Sequence, residues 1–221
     1  MPPTVVIHLG FYALVLFGGV GTLRWPAGWA FLALYAIQML TLDLWLARRD
    51  PSLVAERRRP GRSPGPPVWD RRFLIVSAVV GPAWMLLMAL DAGRFGWSHL
   101  PAGLAPVGAA SMLLGTWIAY TGLRANHFAS IIVRIQPERG HHLVEHGPYA
   151  VVRHPIYTGA FLTALGAPLV LGSAWGLIGS AVLILLTARR AVMEERFLCK
   201  ELAGYRRYMS RTRWRILPWL F

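Results

Sequence analysis

The residues with the clearest chemical potential lie between positions 147 and 159. This stretch reads Gly147-Pro148-Tyr149, then Arg153-His154-Pro155, then Tyr157 and Gly159, and a long apolar segment follows at once. In hydrocarbon every backbone polar group must be hydrogen-bonded within the protein. An Arg-His-Pro step at a membrane boundary is therefore expected only where it forms part of a site. The stretch is therefore the first candidate for a binding or catalytic site.

The start of the helix predicted after this stretch is suited to an anion. Pro155 fits the first helical turn, because its fixed φ and missing N–H are tolerated there, and this leaves His154 as the cap. The free amides of that turn and the guanidinium of Arg153 together favour a carboxylate or a phosphate. Tyr149 and Tyr157 add aromatic faces, which can hold a cationic centre or an adenine ring.

Two adjacent carboxylates follow some 40 residues later. Glu194 and Glu195 stand four and three residues before Leu198, on the inward side of the helix predicted there. One interpretation is structural, with the carboxylates paired to nearby arginines, namely Arg153, Arg189 or Arg190. The other is that they bind ribose hydroxyls or an amino group of a cofactor.

These groups must be positioned by membrane helices. Of the 221 residues 55% are hydrophobic, ten are Trp, and the mean hydropathy is +0.45. Such values are typical of integral membrane proteins. Apolar stretches at about 4–23, 27–47, 73–92 and 101–122 each approach the roughly 20 residues that a spanning helix needs.

A further apolar tract, 155–188, is too long for one span, and the sequence from Gly172 to Gly176 predicts a tight turn within it. We therefore predict an all-α integral membrane bundle of about six transmembrane helices, the last two forming a tight hairpin. Beyond residue 188 apolar side chains recur at helical spacing, which predicts a C-terminal cytoplasmic amphipathic helix. They are Leu198, Leu202, Tyr205 and Met209.

The chain is expected to form a single membrane domain, residues 1–221. Its N-terminal four-helix part covers 1–122, and its cofactor-binding C-terminal part covers 123–221. Within the second part, Ile131–Ile135 and His142–Val144 flank a Gln136–Gly140 turn, which predicts a short extended hairpin. The connector 48–72, with eight Arg and five Pro, is expected to be irregular.

The basic residues predict the orientation of the chain. With a cytoplasmic N-terminus, the inner connectors hold 21 of the 23 Lys and Arg, and only Arg24 and Arg94 fall outside. The net charge of +13 then reflects loops facing anionic lipid headgroups, and no nucleic-acid module is found. We expect a multi-pass protein of the bacterial inner membrane with its site facing the cytoplasm, although an endoplasmic reticulum membrane would give the same pattern.

No metal site is expected. The single cysteine, Cys199, cannot form an intrachain disulfide or a metal site by itself. Several histidines of the second connector lack cysteine partners and helical ligand spacing, and they are interpreted as solvated loop residues: His127, His141, His142 and His146. Asp43 and Asp91, near the ends of predicted helices, are expected at the membrane interface.

The C-terminal 95 or so residues resemble the membrane methyltransferases that include isoprenylcysteine carboxyl methyltransferase and the phospholipid N-methyltransferases. The resemblance rests on motifs in the family's order: Asn126 to Ser130, Gly140-His141, Leu143-Val144, Gly147-Pro148-Tyr149, Arg153-His154-Pro155-Ile156-Tyr157-Thr158-Gly159, Glu194-Glu195 with Leu198, and Gly204-Tyr205 with Tyr208, Arg211 and Pro218. The first 120 residues resemble the family only as hydrophobic helices.

The resemblance implies S-adenosyl-L-methionine bound at the cytoplasmic ends of the last helices and a lipophilic or prenylated acceptor that enters from the bilayer. Carried over by position, it implies cofactor-binding roles for His146, Gly147, Pro148, Tyr149, His154, Pro155, Tyr157, Gly159, Glu194 and Glu195. It implies catalytic roles for Arg153, Glu195 and Arg211. An arginine could orient an acceptor carboxylate without a general base, whereas an amine acceptor would need one, with Glu195 or His154 available.

Two alternatives remain open at this stage. Sterol and steroid reductases that use NADPH have a similar Arg-His-Pro-x-Tyr step, but they typically carry Asn where this chain has Ile156 and Glu where it has Ala160. A non-catalytic membrane subunit is the other alternative, and the intact Glu194-Glu195 pair argues against it. The identity of the acceptor and the oligomeric state do not follow from the sequence.

Overall fold

The computed structural model describes residues 3–57 and 65–221. The α-helices in this part of the chain are α1 (Pro3–Val20), α2 (Pro26–Arg49), α3 (Pro51–Arg57), α4 (Val68–Met88), α5 (Leu104–Ala125), α6 (Pro155–Leu171), α7 (Ala174–Glu201) and α8 (Tyr205–Arg211). A π-helical turn, Ala89–Phe95, extends α4. The described residues contain no strand, which confirms the all-helical class.

Four helices in the described residues are long and apolar enough to cross a membrane. They are α2, α4 with its π-helical extension, α5 and α7. Two shorter apolar helices, Val5–Val20 and Pro155–Leu171, accompany them. Large side chains such as Leu14, Val79 and Leu185 stay more than half exposed in the isolated chain, as expected for surfaces that face lipid. The count of six crossings remains a prediction.

Helices α5 and α6 are in backbone contact along a seam of glycines. A Cβ atom added at Gly108 would lie 2.6 Å from the carbonyl oxygen of Gly166, and one added at Gly115 would lie 2.5 Å from that of Gly159. Both distances are far below van der Waals contact. Small residues let membrane helices approach this closely, and the seam fixes the height and rotation of α6.

The predicted hairpin of the last two apolar helices is present. Helix α6 ends at Leu171, Gly172 takes the left-handed conformation with φ 79°, and α7 begins at Ala174. The Ser173 side chain caps α7 by accepting a hydrogen bond from the Gly176 amide at 2.9 Å.

Asp91 stabilises the same turn by accepting hydrogen bonds from two serines. The Ser173 and Ser98 hydroxyls donate to Asp91 Oδ2 at 2.5 and 2.6 Å, and the Ser98 amide donates to Oδ1. The Asp91 side chain is fully buried and serves as an acceptor inside the bundle, and its position at the membrane interface remains a prediction.

The connector between α5 and α6 is an irregular roof and lacks the predicted extended hairpin. Residues 131–144 hold a short 3₁₀ turn, Pro137–Arg139, and no strand. An ion pair with α3 holds this segment in place of hydrogen bonds between strands. Arg134 donates to both oxygens of Glu56 at 2.9 and 2.8 Å. At the preceding Asp50, His127 Nδ1 lies 2.6 Å from the carboxylate. The roof is therefore held by ion pairs to the first connector.

The C-terminal region is divided differently from the prediction. Residues 189–201 continue α7 without a break, so no separate amphipathic helix begins at 188. Gly204, with φ 85°, turns the chain into the seven-residue α8. The apolar residues of the predicted stripe still share one cluster, in which Leu198, Leu202 and Met209 pack against the buried Tyr205 and Tyr208.

Candidate functional site

A cavity of about 270 Å³ lies under the roof. Its wall is formed by the roof segments 126–134 and 141–144, the first turn of α6, the last half of α7, α8 and one residue of α3. The volume is close to the lower end of the range for small-molecule sites, about 300–1,000 Å³. The cavity therefore collects side chains from segments far apart in sequence.

The C-terminal segment, residues 212–221, holds the start of α6 in place. The backbone amides of Arg153 and His154 donate to the carbonyl oxygens of Trp214 and Arg215 at 3.0 and 2.8 Å, and the Thr158 hydroxyl donates to that of Ile216. Pro155 occupies the first helical turn, as predicted from its missing N–H. His154 stands at the cap position, but its side chain makes no capping hydrogen bond.

Glu195 forms the centre of a buried ion cluster. Arg153 Nε donates to one of its oxygens at 2.6 Å, and Arg215 Nε donates to the other at 2.8 Å. Arg153 also donates to the carbonyl oxygens of Thr212 and Arg213, both at 2.7 Å. The side chains of Arg153 and Glu195 are 6% and 4% exposed. Both carboxylate oxygens of Glu195 are thus engaged, and this residue does not line the cavity.

Glu194, one position earlier, does line the cavity. Its Oε2 accepts a hydrogen bond from the Tyr157 hydroxyl at 2.6 Å and lies 3.9 Å from His154 Nδ1. The side chain is 22% exposed, so part of the carboxylate remains accessible. The cavity wall therefore carries one negative charge at the point where α6 and α7 meet.

His154 combines an aromatic face with an unpaired nitrogen. Its ring stacks on the Tyr157 ring, with centroids 5.2 Å apart and planes 5° from parallel. Its Nε2 lies 3.3 Å from a Glu195 oxygen, yet it makes no hydrogen bond with any residue that the structure describes. This nitrogen is fully buried and faces Glu195, which does not line the cavity, so His154 presents its ring rather than Nε2 to the site.

Tyr149 lines the cavity at the end of a tight turn. Gly147 has φ 62°, which starts the 3₁₀ turn Gly147–Ala150. The Asn126 amide donates to the Tyr149 hydroxyl at 3.4 Å, and the Tyr208 hydroxyl donates to the Tyr149 carbonyl at 2.7 Å. Burial raises the pKa of the Tyr149 hydroxyl, so it stays protonated and can donate a hydrogen bond.

Other residues predicted for the site lie outside the cavity wall. His146, Gly147, Pro148, Pro155 and Gly159 shape the backbone that carries Tyr149, His154 and Tyr157. Arg211 is well exposed, with NH1 3.5 Å from a Glu145 oxygen. The structure thus brings together Tyr149, Arg153, His154, Tyr157 and Glu194, and it does not bring Arg211 to them.

Arg190 and Asp70 were not predicted as site residues. Arg190 lines the cavity, with its guanidinium 5.8 Å from the centre of the Tyr157 ring. Its Nε donates to Asp70 Oδ1 at 2.9 Å, and its NH2 donates to the Ile131 carbonyl. Asp70 is fully buried and also accepts from the Val133 amide. The sequence held one signal that could have found Asp70. A carboxylate within the arginine-rich connector is not explained by a fully solvated basic loop and indicates a partner for an arginine.

His141 also lines the cavity and is only partly accessible, contrary to its interpretation as a solvated loop residue. Its ring stacks on Phe128, with centroids 4.5 Å apart. Burial lowers its pKa to about 4, and repulsion from His142 and Arg139 acts in the same direction. His141 is therefore neutral at physiological pH. No group of three or more metal-ligating side chains is found in residues 3–57 and 65–221.

Comparison with known proteins gives a match that includes most of the cavity wall. Residues 104–203 match the family model for phospholipid methyltransferase. The match covers just under half of the chain, and over this region the chain is similar to the phospholipid methyltransferases. It is also similar to the protein-S-isoprenylcysteine O-methyltransferase of Schizosaccharomyces pombe, with 36% identity over 89 residues. That similarity covers 39% of this chain and 38% of the relative, so the chain spans well under half of the relative's length.

The region that matches the family model contains most of the cavity wall. It runs from the start of α5 through the roof and α6 to the end of α7, and it includes Tyr149, His154, Tyr157 and Glu194. Arg57 of α3 and the two tyrosines of α8, Tyr205 and Tyr208, come from outside it.

Proposed function

We propose that the protein is a methyltransferase that uses S-adenosyl-L-methionine and acts on a lipophilic acceptor at the cytoplasmic face of a membrane. The observation that carries the proposal is the juxtaposition of the Glu194 carboxylate and the Tyr157 ring in the cavity wall. Both groups lie within the region that matches the methyltransferase family.

The residues of the cavity fit an adenosyl donor. Its amino and sulfonium groups are cationic, and its adenine and ribose offer an aromatic ring and hydroxyl groups. Glu194 supplies the opposite charge, and the ring faces of Tyr149 and Tyr157 suit a cation or an adenine.

When bound, S-adenosyl-L-methionine supplies a methyl carbon that forms a bond to the acceptor's lone pair, while the carbon–sulfur bond breaks and its electron pair stays on sulfur. The protein's part is to position the acceptor in line with that bond and to exclude water. A carboxylate acceptor needs no base, because it is already ionised at neutral pH. An amine acceptor must lose a proton, and Glu194 or His154 can accept it, since Glu195 is engaged by two arginines.

We assign different roles to the two neighbouring glutamates. Glu194 binds the donor, and Glu195 positions the site through Arg153 and Arg215. Arg153 acts through the same ion cluster, because it joins the first turn of α6 to α7 and to the C-terminal segment. A catalytic role for Arg211 remains a prediction.

The orientation and the acceptor belong to the same proposal. We infer six crossings with the basic connectors on the cytoplasmic side, which puts the cavity at that face. The bacterial inner membrane remains our expectation. The name of the yeast relative refers to S-isoprenylcysteine, and a prenylated carboxylate is accordingly one acceptor to test, with a phospholipid amine as the other.

Thermal unfolding of the detergent-purified protein tests the proposal. A ligand that binds only the folded state raises the apparent stability by about 2.7 kcal/mol at a concentration of 100 times Kd. We expect S-adenosylhomocysteine to raise the unfolding temperature and NADPH to leave it unchanged. Stabilisation by NADPH alone would indicate a reductase, and no shift with either ligand would indicate a non-catalytic subunit.

Two matched variants test whether S-adenosylhomocysteine binds at Glu194. Glu194→Gln should lose most of the shift with S-adenosylhomocysteine. Glu145→Gln is the control, because Glu145 is an exposed carboxylate outside the cavity wall. An equal shift in both variants would remove Glu194 from the donor site.

A further inference from the structure

The cavity wall contains four arginines, and three of them are neutralised by carboxylates. Arg134 pairs with Glu56, Arg153 with Glu195, and Arg190 with Asp70. Each of these pairs joins two segments of the chain, which gives the arginine a structural role. The fourth, Arg57, is the last residue of α3.

Arg57 is half-buried and has no counter-ion in the part of the chain that the structure describes. Its NH1 donates to the carbonyl oxygen of Ala129 at 2.9 Å, and no carboxylate of residues 3–57 or 65–221 lies within ion-pair distance of it. Burial lowers the pKa of Arg57, and the more distant Asp43 offsets this only in part. A guanidinium has five N–H donors, so Arg57 has donors left for a ligand.

The wall beside Arg57 is apolar. Ala129 and Ile156 line the cavity, and they pack against a cluster of leucines, Leu46, Leu53 and Leu123. One cation next to such a wall matches a molecule with an anionic group attached to a hydrocarbon chain. The donor-facing side of the same cavity is different, because it carries the negative charge of Glu194.

We propose that Arg57 binds the anionic group of the lipophilic acceptor, a carboxylate or a phosphodiester, and thereby sets acceptor specificity. This inference rests on the proposed methyltransferase function. Arg57 lies outside the region that matches the family model, so nothing in that match assigns it a role. A planar guanidinium can hold either anion through two parallel hydrogen bonds.

Acceptor binding in the presence of S-adenosylhomocysteine tests the inference. The probes form two pairs: N-acetyl-S-farnesylcysteine with its methyl ester, and lysophosphatidylmethanol, a singly anionic phosphodiester, with a monoacylglycerol of equal chain length. We expect the wild-type protein to prefer one anionic probe over its uncharged counterpart. Loss of a charge-assisted pair should reduce that preference by about tenfold or more in Arg57→Met. The anionic probe that shows this loss identifies the class of acceptor.

Two further variants separate specificity from folding. Arg57→Lys keeps the charge and should retain part of the preference. Arg49→Met removes an exposed arginine at the end of α2 and should retain all of it. Equal preference in Arg57→Met and the wild type, or equal weakening of charged and uncharged probes, would overturn the assignment.

The affinity for S-adenosylhomocysteine distinguishes failure of this inference from failure of the proposed function. If the wild-type protein binds S-adenosylhomocysteine and Arg57→Met binds it equally well, any change in acceptor preference belongs to Arg57. If the wild-type protein binds no S-adenosylhomocysteine and shows no preference for an anionic probe, the proposed function and the role of Arg57 are both refuted.

Discussion

Exchanging Glu194 and Glu195 separately for Gln should produce opposite phenotypes. The two substitutions are chemically identical and adjacent in sequence, but the structure gives the residues different partners. Glu195 neutralises Arg153 and Arg215 in a cluster whose central side chains are 4–6% exposed. Glu194 is partly exposed in the cavity wall and accepts one hydrogen bond from Tyr157.

The magnitude for Glu195→Gln follows from its burial. Removing one partner of a buried pair leaves an uncompensated charge and costs about 3–5 kcal/mol. In a protein of this size that loss lowers the unfolding temperature by at least about 6 °C. Glu194→Gln should lower it far less, because the amide oxygen of glutamine can still accept from Tyr157 and no buried arginine loses its counter-ion.

The assay is thermal unfolding with and without S-adenosylhomocysteine on the same preparations. We expect Glu195→Gln to unfold early but to keep a ligand-dependent shift when folded, and Glu194→Gln to unfold near the wild-type temperature without such a shift. The reasoning is refuted if Glu195→Gln keeps wild-type stability, or if it alone loses the ligand-dependent shift.

Three other perturbations follow from single contacts. Gly159→Val should prevent stable folding, since its Cβ would overlap the Gly115 carbonyl of α5, whereas Gly81→Ala, which meets open space in α4, should keep the unfolding temperature within a few degrees. The pKa of His141 is about 4 in the folded state and about 6.5 in the unfolded state, so its contribution to stability is complete above pH 6.5 and is lost as the pH falls towards 4. His141→Phe should therefore flatten the pH dependence of the unfolding temperature between about pH 4 and 6.5. An unchanged slope would contradict the burial of the ring. Asp91→Ala should lower the free energy of unfolding by about 1–3 kcal/mol or more, because the Ser98 and Ser173 hydroxyls lose their acceptor, and a wild-type urea or temperature midpoint would contradict this.

Much of the fold could be predicted from local sequence patterns. The apolar stretches located the helices, and the Gly172–Gly176 segment located the turn between α6 and α7 to within a few residues. Both signals are local, since the length of an apolar run and a glycine at a helix end act on the backbone nearby. The predicted hairpin in the connector failed because its apolar residues line the cavity, and the Arg134–Glu56 ion pair with α3 holds the segment without strand pairing.

The partners of the charged residues could not be predicted, because they depend on the packing of whole helices. Arg190 reaches Asp70 across 120 residues of sequence, and Arg153 reaches Glu195 across 42. Arg153 and Arg190 were both plausible partners for the glutamates from sequence proximity alone. Only the relative rotation of α4, α6 and α7 decides between them, and that rotation depends on contacts such as the glycine seam of α5 and α6.

The separation of the two glutamates has a simple geometric cause. Consecutive residues of an α-helix point about 100° apart, because one turn contains about 3.6 residues. At the end of α7 one direction faces the C-terminal segment and the next faces the cavity, so Glu195 joins the ion cluster while Glu194 meets Tyr157. On the other side of the site, Arg153 and His154 Nε2 both lie beside Glu195, whereas the Tyr157 hydroxyl donates to Glu194.

Residues that hold the fold and residues that face the cavity are thus interleaved in both halves of the motif. Loss of turnover in a variant of either kind would therefore look the same, because a collapsed cavity and a missing ligand contact both abolish binding. Ligand affinity measured per folded molecule separates the two, since Glu195→Gln changes the fraction folded and Glu194→Gln changes the affinity. For this site a mutational scan by activity alone would assign positioning residues as catalytic ones.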